Sequence, residues 1–378
     1  MAGRLSHLSK SKTLTSAVAG NDFSFAGHRM GSQLITRRTL SAPAEVVAWL
    51  GAVQAQDYEA AKWAVGLRLP DNVADDEMIE SAISEGSILR THIFRGTWHL
   101  VSPSDIRWML KLVAPRQITR LETRHRQLGL DANVFRRSND AFSEALRDGS
   151  HLTRDEMADT LKRAGISEAA SRLSHLLMRA ELDSLICSGA RRGKQATYAL
   201  LDFRAPGLRA PYDRLEGLAE IARRYFRSRG PATLGDFAWW TGLNTADARA
   251  GLQAVQSTLV SEVVDGKSYW LSIDSQTPGH SAFLLPAFDE YLVAYRNRDA
   301  VLDPEYKHRI NSGGGMLRPC IIVDGIVIGI WRRSLARGSV SIDLDMFEPA
   351  TARVSRVVEA AARRYGEFLG LRTNIACR

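Results

Sequence analysis

The sequence predicts an α+β fold of three tandem winged-helix units, followed by a small C-terminal β-sheet or barrel and a terminal helix. Two observations carry this. Short amphipathic helices, a polar break and two apolar-alternating strands around a basic or Gly-bearing turn recur three times along the chain. Beyond Ser272 the texture changes to strands alternating over one apolar face, closed by a helical stretch over Ala350–Leu369.

The first unit is the least regular. It comprises a helix from Pro43 to about Val53, a second from Asp75 to Glu85, and strands Ile88–Phe94 and Thr97–Val101 around Arg95-Gly96. The second has a helix over Val134–Leu146, then the capping-box pattern Thr153-Arg154-Asp155-Glu156 opening a helix through Leu161. After a break at Gly165, helical spacing resumes over Ser167–Ala180. Leu185-Ile186-Cys187 and Ala196–Leu200 then bracket Ser188–Lys194, a basic hairpin tip. In the third, the helix Leu215–Phe226 ends at Arg229-Gly230-Pro231, Thr233 caps a short helix to Trp240, and Asn244 or Thr245 caps another. Leu259–Val264 and Tyr269–Ser272 flank Asp265-Gly266, a strong hairpin signal.

The C-terminal strands fall at Phe283–Tyr295, Met316–Ile330 with a turn at Val323-Asp324-Gly325-Ile326, and Ser339–Phe347. Gly313-Gly314-Gly315 lacks the Lys-Ser/Thr and strand–helix context of a phosphate loop and reads as a connector. The expected segments are 1–29, 30–130, 131–210, 211–275 and 276–378. The first is a Ser/Lys/Arg-rich tail without the apolar region of a secretory signal, either loose or a basic arm for phosphates.

Composition agrees with a set of folded domains. The 378 residues are 45% hydrophobic and carry a formal charge of +8, which favours a polyanionic partner. Cys187, Cys320 and Cys377 are scattered, so neither a disulfide framework nor a metal cluster is indicated, and a reducing cytoplasm is the expected compartment. No apolar run approaches the roughly 18 residues of a membrane span.

Several short words, in order, carry a family likeness. They are Val53-Gln54-Ala55-Gln56-Asp57-Tyr58, Lys62–Arg68 (KWAVGLR), Phe94–Val101 (FRGTWHLV), Leu284–Tyr291 (LLPAFDEY) and Gly329–Arg333 (GIWRR). Over roughly Met30 to Leu371 the chain resembles the AlkZ-type (YcaQ/AlkZ) winged-helix DNA glycosylases. That resemblance implies three tandem winged helices around a concave DNA channel plus a C-terminal β-barrel. It also implies excision of alkylated purines, in some members from interstrand crosslinks. The family's signature, Gln, apolar residue, then Gln or Asp, falls on Gln54-Ala55-Gln56, similar to the Gln/Gln subgroup linked to natural-product self-resistance.

The chemistry of that pair is plausible. An N7- or N3-alkylated purine is a cationic, already activated leaving group, so the demand shifts to the sugar. An oxocarbenium-like transition state needs stabilising and a water needs placing, and a carboxamide offers both an acceptor and a donor. Residues two apart share a side only in extended backbone, which puts Gln54 and Gln56 where the first helix ends. Asp57 is the nearest carboxylate and would be the stronger general base, leaving one glutamine to orient the water. Taken alone, Gln-x-Gln also reads as a polar helix terminus supplying caps.

The candidate DNA contacts are Arg95, Trp98, His99, the tip residues Arg191, Arg192 and Lys194, and the arginine-dense spots Arg296/Arg298 and Arg332/Arg333. His99 and Trp98 each have a structural reading too, as a satisfied strand histidine and a core aromatic. Asp289 and Glu290 are expected to pair with Arg296 and Arg298. Two functions remain open at this stage. One is a monomeric, monofunctional glycosylase acting on double-stranded DNA without metal or organic cofactor. The other is a non-catalytic winged-helix DNA-binding protein or regulator.

Overall fold

A computed structural model of the chain describes residues 24–71, 73–167, 169–207, 212–272, 281–311, 313 and 315–377. Most of the expected basic tail, the segment boundaries at 210/211 and 275/276, and Gly314 lie outside them.

Regular structure is already present ahead of Met30. Helix α1 (Phe25–Ser32) is capped by Ser24, whose side chain accepts from the Gly27 amide. Arg29, expected in the tail, is fully buried: its Nε donates to the Pro231 carbonyl at 3.0 Å and its guanidinium lies 3.8 Å from the Tyr295 ring centre. A cation with an acceptor and an aromatic face can be buried in this way.

The first unit runs α2 (Pro43–Leu50), β1 (Val53–Gln54), α3 (Tyr58–Gly66), α4 (Asp76–Glu85), β2 (Leu89–His92) and β3 (Trp98–Val101), with β1-β3-β2 forming one antiparallel sheet. Helix α2 stops three residues short of expectation because Gly51 takes a positive φ of 74°, turning the chain into β1. At the hairpin tip Arg95 and Gly96 both have positive φ, matching the twist of a two-residue β-turn. A long helix not foreseen in the sequence follows, α5 (Pro103–Gln127), with Pro115 in its middle. Proline there removes one helical hydrogen bond and reads as a breaker, yet the helix continues because one side carries Trp108, Met109 and Leu112 into the core shared with the third unit.

The second unit repeats the order: α6 (Ala132–Leu146), β4 (Leu152–Thr153), α7 (Arg154–Arg163), α8 (Ala170–Leu182), β5 (Ile186–Ser188) and β6 (Thr197–Leu200), in a β4-β6-β5 sheet. The Thr153/Glu156 capping box forms as expected. After the short α9 (Leu201–Arg204), the third unit comprises α10 (Arg214–Arg229), α11 (Leu234–Thr241), α12 (Thr245–Val255), β7 (Val260–Val264) and β8 (Lys267–Leu271). A single Ala232–Trp270 bridge stands in for the short strand, and Asn244 is the cap of α12.

The C-terminal segment is an open five-stranded sheet, not a partly closed barrel. Its order is β13 (Arg372–Cys377), β12 (Ser339–Met346), β11 (Ile326–Ala336), β10 (Cys320–Val323) and β9 (Ala282–Leu285). The stretch expected as strand to Tyr295 turns into helix α13 (Glu290–Val293), and α14 (Lys307–Ile310) precedes β10. The crossover α15 (Ala352–Phe368) lays Val358, Ala362 and Tyr365 into the sheet's core and returns β13 parallel to β12. With a helix covering the sheet and β13 extending one edge, the two edge strands have no reason to meet.

The second unit has a core of its own around Phe142, Leu161 and Leu176. The first shares one core with the C-terminal sheet, while β2, β3 and α5 share another with the third unit. Strand β1 therefore sits where three parts of the chain converge.

Candidate active site

The backbone of Gln54 and Ala55 is held on several sides. The Gln54 amide donates to Glu290 Oε1 at 2.9 Å, and the Ala55 amide to the Trp98 carbonyl at 2.7 Å. The Ala55 carbonyl accepts from Arg90 Nε and Nη2 at 3.1 and 3.0 Å. Upstream, Arg229 donates to the carbonyls of Leu50 and Ala52 at 2.6 and 2.9 Å, closing the turn out of α2. Glu290 Oε2 in turn accepts from Arg229 and from Trp240 Nε1, and the Glu290 and Arg229 side chains are both 0% exposed. A charge so placed requires its partner, so this pair fixes β1 from behind.

The two glutamines differ in setting. Gln54 is 6% exposed, and its Oε1 has no hydrogen-bond partner among the described residues. It stands in register with the equally buried His99 of β3. Gln56 is exposed, and its Oε1 accepts from the Trp98 amide at 3.4 Å. Asp57 is exposed and caps α3, accepting from the Ala60 amide at 3.0 Å. Gln54 ends β1, Ala55 leaves the strand, and Gln56 lies in the bend that leads into α3.

His99 is fully buried. Its Nδ1 lies 2.9 Å from the Thr97 carbonyl, which can only accept, so Nδ1 carries the proton and Nε2 is a bare lone pair. Nε2 has no partner. Burial, helped by the nearby Arg95 cation, lowers the imidazole pKa to about 3.

Residues 47–368 match the family described as DNA glycosylase AlkZ-like. The chain belongs to that family. It is therefore an enzyme of the DNA glycosylase class, with DNA as its partner. A curated relative from Streptomyces sahachiroi, an interstrand DNA cross-link repair glycosylase, is 28% identical over 323 residues, 80% of this chain and 85% of the relative. The solved structure of the Streptomyces sahachiroi DNA glycosylase AlkZ superposes with a TM-score of 0.78 at 23% identity, covering 94% of this chain and 98% of that one. The non-catalytic regulator is thereby set aside.

In this AlkZ-like chain the expected DNA contacts fall in varied settings. Arg95 donates to the Trp239 and Trp240 carbonyls at the end of α11, so its guanidinium is docked on the third unit. Trp98 is half-buried between the Arg90 guanidinium, 4.0 Å from its ring centre, and the His92 ring at 4.1 Å. The basic hairpin tip is largely neutralised. Arg191 pairs with Glu59 at 3.2 Å and Glu80 at 3.5 Å, and Arg192 with Glu156 at 2.7 Å, which leaves Lys194 exposed. Arg296 and Arg332 are exposed, Arg298 donates to the Leu292 carbonyl, and Arg333 bonds the Tyr365 hydroxyl.

The expected pairing of Asp289 and Glu290 with Arg296 and Arg298 does not occur. Asp289 takes a bidentate Arg68, both fully buried, and Glu290 takes Arg229. Arg229 was legible only as part of a helix stop, because nothing local announces a partner 61 residues away. Sequence reading also missed Arg90 and the cations of α5. Arg116, Arg120 and Arg124 stand at i, i+4 and i+8 on an exposed face, a spacing that would have revealed them had the helix been recognised. Arg116 Nε donates to the Gly242 carbonyl beside α12, and none of the three has an ion-pair partner among the described residues.

Proposed function

We propose that this glycosylase hydrolyses the N-glycosidic bond of N7- or N3-alkylated purines in double-stranded DNA, bulky adducts and interstrand crosslinks included, by water attack on an oxocarbenium-like sugar. The observation that carries the reading is Gln54 Oε1, a buried acceptor left free on a strand whose backbone is clamped at each end. Leaving such an atom unpaired costs about 1–3 kcal/mol, which a bound water or the developing sugar cation would recover. Gln56, exposed and two residues on, supplies the substrate-facing carboxamide. Asp57 serves α3 as its cap.

An amine nucleophile does not fit the motif's surroundings. Lys62 on α3 is buried and held by Glu59, Asp76 and Glu80 at 3.0, 2.8 and 3.1 Å, so its ammonium is locked rather than free to attack a sugar. Action on crosslinks is extended to this chain from the Streptomyces sahachiroi relative, an interstrand DNA cross-link repair glycosylase. The DNA backbone is read by the exposed cations of α5 together with Lys194, Arg296 and Arg332, which supply charge without sequence preference. Incubating the protein with duplex DNA carrying N7-methylguanine is expected to release free base and leave an abasic site that borohydride does not trap on the protein. Absence of released base from monoadduct and crosslinked duplexes alike would refute this function.

A further inference from the structure

Three side chains stand in one row across the first unit's sheet. The β2–β3 register pairs Thr91 with His99, and the β1–β3 register pairs His99 with Gln54. Residues directly opposite on antiparallel strands point to the same face, with Cβ atoms about 4.5–5.5 Å apart. All three are buried, and each keeps one polar atom without a partner among the described residues: Thr91 Oγ1, His99 Nε2 and Gln54 Oε1. Buried polar groups are almost always satisfied. Three orphans in a single row mark a place made for something that donates hydrogen bonds.

Protonation decides what that is. With its Nδ1 proton on the Thr97 carbonyl, His99 offers Nε2 purely as an acceptor, and Gln54 Oε1 can do nothing but accept. Two neighbouring acceptors suit a donor with two hydrogens. A water there, one hydrogen on each, has its lone pairs turned away from the row. The third orphan, the Thr91 hydroxyl, can donate or accept as its proton rotates, so it adapts to whatever the other two hold.

We propose that His99 is a catalytic residue of this site, its Nε2 binding the attacking water together with Gln54 Oε1 and taking the water's proton. This rests on the glycosylase reading above. The water oxygen forms its bond to C1′ while the C1′–N bond to the alkylated purine breaks. The bonding pair leaves with the base and neutralises its positive charge. The oxygen, now bearing three bonds, is strongly acidic and passes a proton to Nε2, from which it returns to solvent. A histidine kept neutral by burial is a weak base towards resting water and a sufficient one towards that oxonium.

Single-turnover release of 7-methylguanine from a duplex oligonucleotide tests this, with duplex affinity and melting temperature measured alongside. His99→Phe keeps the ring and removes the acceptor, and is expected to slow release by about 10²–10³-fold with affinity within about threefold. His99→Gln restores an acceptor and is expected to keep at least about a tenth of the rate. Because both groups hold one water, His99→Phe combined with Gln54→Ala is expected to lose little more than either alone. A folded His99→Phe that excises normally overturns the proposal. So do additive losses in the double variant, a fall in affinity matching the fall in rate, or a folded His99→Gln more than about a hundredfold slower. If the unaltered protein releases no base, the function itself fails instead.

Discussion

Glu290→Gln removes one charge from the clamp behind β1 and tests whether that clamp places Gln54. The carboxylate now serves four donors: the Gln54 amide on Oε1, and Arg229 Nε, Arg229 Nη2 and Trp240 Nε1 on Oε2. A carboxamide has one acceptor oxygen and puts an NH2 where the other must be, so one side of the clamp meets donor with donor. Arg229 is left as a fully buried charge without its counter-ion. Breaking a buried pair by removing one partner costs about 3–5 kcal/mol, and the retained carbonyl puts this change near 3. Urea denaturation followed by far-UV circular dichroism measures it. Single-turnover excision measured well below the denaturation midpoint isolates the catalytic part, expected to fall about 10²-fold for a misplacement near 1 Å.

Replacing both partners, Glu290→Leu with Arg229→Met, separates support from stability. Removing both charges avoids the unpaired ion, so stability is expected to recover most of the loss. Excision is not expected to recover, because the Gln54 amide and the Leu50 and Ala52 carbonyls still lack their anchors. A Glu290→Gln protein with an unchanged midpoint and normal excision would refute the clamp. Full activity in the double variant would refute it as well.

Three further outcomes follow from the same geometry. Gln54→Ala and Gln56→Ala should each slow single-turnover excision by about 10²–10³-fold with duplex affinity kept, while Asp57→Asn, still an N-cap, should change it little. A larger defect from Asp57→Asn than from either glutamine would make the carboxylate the base. Changing Arg116, Arg120 and Arg124 to Ala should lower the salt slope of duplex binding by up to about 0.9 per lost phosphate contact. Changing Arg191 and Arg192 should lower it less, since Glu59, Glu80 and Glu156 already neutralise them; the opposite ranking would return the hairpin tip to the interface. His99 has a folded pKa of about 3 against 6.5 ordinarily, so between those values the unfolded chain binds a proton that the folded chain does not, and stability falls as pH falls. Going from pH 7.5 to 5, the unaltered protein should lose about 2 kcal/mol more than a non-titrating His99→Gln, and equal losses would place His99 in a solvated setting.

What the sequence made legible divides along physical lines. Thr153 and Thr233 cap the helices they are expected to open, and of the two candidates Asn244 and Thr245 it is Asn244 that caps α12, because capping depends on residues within one turn. The turns at Arg95-Gly96, Asp265-Gly266 and Asp324-Gly325 all take positive φ at both positions for the same local reason. Strand β13 escaped notice because it is a largely exposed edge that exists only once α15 has carried the chain back beside β12. Helix α5 escaped because its support is tertiary and Pro115 argues against it locally.

The candidate site divides the same way. Gln54-Ala55-Gln56 could be found as a word, but why Gln54 is held could not, because its amide partner lies 236 residues away. The charge count misleads for a related reason. A formal +8 treats every arginine as available to a polyanion, yet Arg29, Arg68 and Arg229 are each no more than 1% exposed and spend their charge inside the fold. Arg68 and Arg229 each do so against a buried carboxylate, so those two pairs leave the net charge unchanged while removing two cations from the surface. The charge that DNA meets is therefore set by which cations remain unpaired, and Arg116, Arg120 and Arg124 form such an exposed row at helical spacing on α5. If the salt slope proved indifferent to Arg116, Arg120 and Arg124, phosphate recognition would have to pass to Lys194, Arg296 and Arg332, and the duplex would cross the second unit and the C-terminal sheet rather than α5.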